Sequence, residues 1–206
     1  MVISLYLNNN QVLSMNHSPT FTLLEATHWQ DYELLDSGDG LKLERFGKYI
    51  FARPESQAMW SRALPSSEWN NAHAVFQPTA EESGGHWMEK KKLPAKWEMT
   101  YPLLNIGKLK FDVMTTPGRH LGVFPEVASH WDFMAGLVQK ENRPVRVLNL
   151  FGYTGLASLA AAAAGAQVTH VDASKKSVGW ARENQALSGL SDKPIRWIVE
   201  DAIKYM

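Results

Sequence analysis

At 206 residues the chain can form one large domain or two small ones around a real core, and 45% hydrophobic with 20% charged residues is an ordinary globular composition. Basic and acidic residues balance at 21 each, so no net field draws the molecule to nucleic acid or an anionic membrane, and RNA binding would need a local basic face. Cysteine is absent, which excludes disulfides, thiolate metal sites and a cysteine nucleophile within these residues and fits a reducing compartment.

Residues 1–7 are apolar but short, lack a basic leader and run into Asn8-Asn9-Asn10. They read as a tail or weak strand rather than a signal peptide, and residues 1–18 are taken as a flexible tail. No stretch approaches the roughly 20 apolar residues of a membrane span. No membrane partner is therefore expected, and the cytoplasm is the default location. Residues 19–135 read as a β-rich accessory region. Within it Tyr32-Glu33-Leu34-Leu35 and Leu41-Lys42-Leu43 flank Ser37-Gly38-Asp39-Gly40, which predicts a hairpin. Residues 48–52 form a further strand stopped by Pro54. Residues 66–95 are polar, contain Gly and Pro, and carry the run Lys90-Lys91-Lys92. Strand-like runs at 109–113 and 120–124 follow, joined by a Thr116-Pro117-Gly118 turn. Tryptophans at 29, 60, 69, 87, 97, 131 and 197 are expected chiefly as core anchors, with a base-stacking platform as the alternative.

After about Glu141 the pattern changes. Residues 145–150 are a near-continuous apolar run, as a parallel strand covered on both faces requires. An alanine-rich helix over 156–164 follows, with Thr154 placed to cap it and Gly165 placed to end it in a left-handed turn. A strand at 167–171, a helix capped by Ser174 and ending near Gly189, and a strand at 195–199 complete a strand-helix-strand-helix-strand series. That series predicts a Rossmann-like α/β sheet over 141–206.

Open α/β sheets bind ligands beyond the carboxyl ends of their strands. There lie the loop Phe151-Gly152-Tyr153-Thr154-Gly155, then Asp172-Ala173-Ser174, and then Asp201-Ala202. A carboxylate at Asp172 is placed for the two ribose hydroxyls of an adenosine ligand, and Asp201 for its adenine or for orienting the loop around the base. Aligned on the dinucleotide pattern Gly-x-Gly-x-x-Gly, Gly152 and Gly155 fill the second and third glycines, but Leu150 fills the first. The loop by itself leaves both a dinucleotide and S-adenosylmethionine open. The structural alternatives are that Asp172 and Asp201 only cap helices and that Tyr153 only packs. The seven histidines show no His-x-x-x-His spacing and are read as structural or surface residues, with no metal site expected.

The run Val147-Leu148-Asn149-Leu150-Phe151-Gly152-Tyr153-Thr154-Gly155 with its alanine-rich helix resembles the first motif of class I RNA methyltransferases. More narrowly, it is similar to the family that includes the large-subunit ribosomal-RNA cytosine-C5 methyltransferases. Val171-Asp172-Ala173-Ser174, with Ala181-Arg182-Glu183-Asn184, is similar to the second motif of that family, and Glu200-Asp201-Ala202 to its third. Gly122-Val123-Phe124-Pro125-Glu126 resembles the segment that in the family helps close over the cofactor. The resemblance spans residues 107–206. It implies an enzyme that uses S-adenosyl-L-methionine and methylates RNA, with a ribosomal-RNA base as target. Asp172 would hold the ribose, Asp201 the adenine, the loop backbone the methionine portion, and Phe124 would lie against the cofactor. In that family further strands, a downstream Asp-Pro-Pro-type motif and, in the cytosine-C5 enzymes, a catalytic cysteine follow. The methyltransferase domain is therefore read as truncated, its catalytic residue as unknown, and this polypeptide alone as poorly active or inactive. Two rival readings stay open, an NAD-dependent oxidoreductase and a non-catalytic adenosine-binding or RNA-docking module.

Overall fold

The computed structural model describes residues 2–4, 23–79 and 84–206, with the backbone alone for residues 2–4. Most of the expected tail lies outside the described residues. The chain divides into two compact units, one of His28–Pro102 with Lys108–Pro125, the other of Met1–Thr27, Leu103–Gly107 and Glu126–Met206.

The first unit is β-rich. β1 (Val2–Ser4) belongs to the second unit; β2 (Tyr32–Gly38) and β3 (Leu41–Phe46) form the expected hairpin. The two connecting residues, Asp39 and Gly40, both have positive φ (51° and 73°), the backbone that matches the twist of a tight hairpin. β4 (Tyr49–Pro54) pairs antiparallel with β3. A crossover containing the short helix α1 (Ser66–Asn70) then lays β5 (Ala74–Pro78) parallel to β4, and β6 (Gly85–Glu89) returns antiparallel, giving the order β2-β3-β4-β5-β6.

Asp36 fixes that crossover. Its carboxylate accepts from the backbone N–H of Ser37, Ala63 and Leu64 and from Trp69 Nε1, at 2.8 to 3.3 Å. Burial pushes its pKa up, but these four donors outweigh burial and hold it below the usual carboxylate value. A second pair of strands, β7 (Trp97–Leu103) and β8 (Gly107–Val113), adds Met99, Tyr101, Leu109 and Phe111 to the buried residues. Within the β-rich core Glu44 is fully buried, held by Arg53 at 2.5 and 2.9 Å and by the Tyr32 hydroxyl at 2.9 Å.

Three features differ from the sequence expectation here. Residues 66–95, for which the sequence predicted no element, hold α1, β5 and β6. β7 was not anticipated. Residues 120–124 are not a strand, because Gly122 takes φ 96° and Pro125, which lacks an N–H, follows directly.

The second unit carries a sheet in the order β1-β9-β10-β11. β9 (Arg146–Leu150), β10 (Gln167–Asp172) and β11 (Ile195–Val199) run parallel in adjacent register, and β1 (Val2–Ser4) pairs antiparallel along the other edge of β9. α3 (Leu156–Ala163) and α4 (Lys175–Leu187) are the crossovers, and α5 (Ala202–Tyr205) follows β11. This is the expected Rossmann-like α/β arrangement. Both crossover helices end as their glycines require. Gly165 (φ 106°) and Gly189 (φ 69°) are left-handed, with Ala166 N–H bonded to Ala161 O and Leu190 N–H to Gln185 O. α2 (Ala128–Lys140) was read in the sequence as part of the β-rich region. It belongs instead to this unit, because its buried face of Ala128, Trp131, Met134, Ala135 and Val138 packs on α3, whose alanines permit close approach. Among the described residues no helix is long and apolar enough to cross a membrane.

Candidate functional site

β9 ends at Leu150 and α3 starts at Leu156, so five residues turn the chain from strand to helix. Left-handed φ values alternate through them, at Phe151 (55°), Tyr153 (50°) and Gly155 (87°). For a bulky non-glycine residue this conformation costs on the order of 1–3 kcal/mol, and it persists only where the surroundings hold it. They do. Gly152 N–H donates to Val171 O and Gly155 N–H to Gly152 O, each at 3.0 Å. Tyr153 N–H donates to Asp172 Oδ2 at 2.9 Å, and the buried Asn184 of α4 donates from Nδ2 to Thr154 O at 3.0 Å.

Both glycines are required by packing beneath the loop. A Cβ on Gly152 would lie 2.3 Å from the His170 ring, and one on Gly155 would lie 2.7 Å from Ala181 Cβ. The helix cap differs from expectation. Gly155, not Thr154, is the N-cap of α3, and no side chain caps it. Thr154 is only 2% exposed, so its side chain is not available to a ligand.

Asp172 stands at the end of β10, half-buried. Besides Tyr153 it accepts from Ser174 N–H on Oδ1 at 2.8 Å. Each carboxylate oxygen thus spends one lone pair on orienting the group and keeps one, two in all, for outside donors. Ala173 and Ser174 are exposed, and Ser174 Oγ caps α4 by accepting from Ser177 N–H at 3.1 Å. Asp201 follows β11 and is exposed. Its Oδ1 caps α5 by accepting from Ile203 and Lys204 N–H at 2.9 and 3.1 Å, while no hydrogen bond among the described residues uses Oδ2. Ala202 is buried in a cluster with Leu150 and Val171. The fold therefore gathers Phe151 to Gly155, Asp172 to Ser174 and Asp201 with Ala202 at the carboxyl ends of three adjacent strands. Phe124 belongs to the β-rich unit, where its ring packs on His120 at 4.5 Å.

Sequence reasoning missed a buried polar chain under the loop. Asn149 Nδ2 donates to Ser158 Oγ at 2.9 Å, and Ser158 Oγ and His170 Nδ1 share a hydrogen bond at 3.0 Å. All three residues are essentially inaccessible, and His170 also packs on Trp197 with ring centroids 4.7 Å apart. Burial lowers the His170 pKa from 6.5 to about 4 against the opposing pull of Asp172, so the ring is neutral near pH 7. The only available signal was the polar residue set at equivalent places in two apolar strands, Asn149 opposite His170.

A trough of about 690 Å³ lies elsewhere, along Arg146, Leu148, Thr169, Ile195 and Arg196, toward the amino ends of the same strands. Ligands of open α/β sheets bind at the opposite ends, so this trough is not the candidate site.

Among known proteins, the SAM-dependent methyltransferase from Agrobacterium tumefaciens has a crystal structure that matches with a TM-score of 0.80 and 49% identity, over 92% of this chain and 58% of that one. A SAM-dependent methyltransferase structure from Streptococcus mutans matches with a TM-score of 0.61 over 85% of this chain and 47% of that one; at 18% identity it shows the fold alone. In sequence, the ribosomal RNA large subunit methyltransferase K/L of Shewanella baltica (strain OS155) is 32% identical over 145 residues, and that of Shewanella sp. (strain ANA-3) is 45% identical over 145 residues. The matched stretch is 70% of this chain, which spans about a fifth of the length of those relatives. No protein-family profile matches the chain.

Proposed function

We propose, from the premise that the chain is related to the class I S-adenosylmethionine-dependent methyltransferases, that its loop-bearing unit binds S-adenosyl-L-methionine and that the whole protein methylates RNA. The carrying observation is the Asp172 carboxylate, fixed by Tyr153 and Ser174 amides with two lone pairs remaining. Two such acceptors on one rigid group match the two hydroxyls of a ribose. Asp201, one strand further along, receives the adenine amino group through Oδ2, while Ala202 fills the space beneath. The backbone of residues 151–155 lies against the methionine portion, and the exposed Phe151 ring walls the opening.

When bound, S-adenosylmethionine supplies a methyl group that is already electrophilic on its sulfonium. The task of the residues described here is to hold it in one orientation, so that an acceptor meets it in line. The relatives carry ribosomal-RNA methyltransferase names, which supports a ribosomal-RNA base as acceptor and the cytoplasm as the place of work. The NAD reading is disfavoured on a specific point. Leu150, in the place of the first dinucleotide glycine, is 3% exposed and packs with Val171 and Ala202, so the tight pyrophosphate turn is not formed there.

Calorimetric titration with S-adenosylmethionine tests the proposal. Hydrogen bonds to a charged group are worth about 1.5–3 kcal/mol, so Asp172→Ala should weaken binding about tenfold to a hundredfold. Unchanged affinity in a folded variant, or thermal protection by NAD but not by S-adenosylmethionine, would overturn it.

A further inference from the structure

We propose that the face formed by Lys48, Tyr49, His73 and Trp97, bordered by Lys90, Lys91 and Lys92, docks a single-stranded segment of RNA. This inference rests on the RNA reading above and assigns a place to it, within the β-rich unit. Three half-buried rings meet there. Tyr49 contacts Trp97 at 5.0 Å and His73 at 5.3 Å between centroids, both edge to face, and Lys48 Nζ stands 5.3 Å from the Tyr49 ring centre.

The rings are rigidly mounted. Trp97 stacks on Phe51 at 5.6 Å and 5°, and its Nε1–H donates to Phe46 O at 3.1 Å. His73 accepts from Ile50 N–H on Nδ1 at 3.1 Å and donates its own N–H to Ile50 O at 2.7 Å. The lysine run is tied to the same spot, since the N–H groups of Lys90 and Lys91 both donate to His73 O, at 2.8 and 3.1 Å.

Charge favours a polyanion. Lys48, Lys90, Lys91 and Lys92 are exposed and have no carboxylate partner among the described residues, and Lys91 Nζ reaches only a carbonyl, Asn71 O. The carboxylates flanking Trp97 and β8 are already neutralised, Glu98 by Lys110 and Asp112 by Lys96. Positive charge remains in excess even with the exposed Glu89 counted. Burial and the neighbouring Lys91 hold His73 below the ordinary histidine pKa, so it adds a ring and not a charge near pH 7. Aromatic faces among unpaired lysines suit unstacked bases with their phosphates, and a duplex hides its base faces from such a surface.

The test is fluorescence anisotropy of a labelled single-stranded RNA dodecamer with the full chain across a salt series. Four lysine contacts give a slope of about −3 in log affinity against log salt. Replacing Lys48, Lys90, Lys91 and Lys92 together by Gln should reduce that slope toward zero. Tyr49→Leu should weaken binding about fivefold to a hundredfold with the slope unchanged, and Tyr49→Phe should restore it. Equal affinity of wild type and both variants would overturn the placement while leaving the RNA reading intact, as would equal affinity for duplex RNA. Failure of the wild type to bind any RNA at low salt would instead remove the RNA reading itself. Should Tyr49→Leu fail to fold, the four-lysine variant, confined to exposed side chains, decides.

Discussion

Gly152 and His170 are a matched pair at the residue scale. The imidazole fills the space a side chain at 152 would take, so Gly152→Ala must displace either the ring or the loop that contacts it. Overpacking of this kind costs about 1–3 kcal/mol. We expect a lower melting temperature and weaker S-adenosylmethionine binding together, read by thermal unfolding and calorimetry; an unshifted melting curve would contradict the packing. The pH response follows from His170. Its folded pKa of about 4 lies below the unfolded 6.5, so between those values the unfolded chain binds more protons. Stability is therefore complete above about pH 6.5 and falls as pH drops toward 4, by up to about 3 kcal/mol from this ring. His120, also lowered to about 4 by burial and then by Arg53, works in the same direction. His170→Gln should flatten part of the slope in denaturation measured from pH 7 to 4, and identical slopes would mean the ring is not held neutral. The positions of residues 151–155, Asp172 and Asp201 were legible because they follow from strand ends. His170 was not, since its importance comes from a loop on the neighbouring strand.

At the scale of elements, the parallel series was legible because each piece carried its own punctuation: an apolar run, a capping Ser174, and glycines 165 and 189 at the helix ends. α2 carried apolar residues at helical spacing, but the outward-facing Phe133, 53% exposed, and Gly136 inside the helix blur its stripe. β7 alternates buried and half-exposed residues, yet contains Pro102, which argues against a strand when read locally. The parallel pairing of β4 with β5 had no local signal, because it depends on Asp36 gathering donors from residues 63, 64 and 69. Asp36→Ala should therefore loosen the whole crossover, costing about 2–4 kcal/mol through four lost hydrogen bonds and a stranded Trp69 N–H. Chemical denaturation would register the loss, and a change below 0.5 kcal/mol would show the crossover holds without it.

At the scale of the whole molecule, the two proposed sites call for separate experiments. Asp172→Ala is expected to alter cofactor affinity and leave RNA binding as it was, and Tyr49→Leu the reverse. The threading of the chain through its two units has a consequence for synthesis. The β-rich unit is complete once Pro125 has been made, whereas the other unit needs α2 and every parallel strand from Arg146 onward. A chain emerging from the ribosome at about 5–20 residues per second can close the first unit while the strands that flank the loop are still untranslated. β1 (Val2–Ser4) must then wait for β9, its partner, to be made. A chain paused between Pro125 and Arg146 would carry a protease-resistant β-rich unit ahead of an unfinished one.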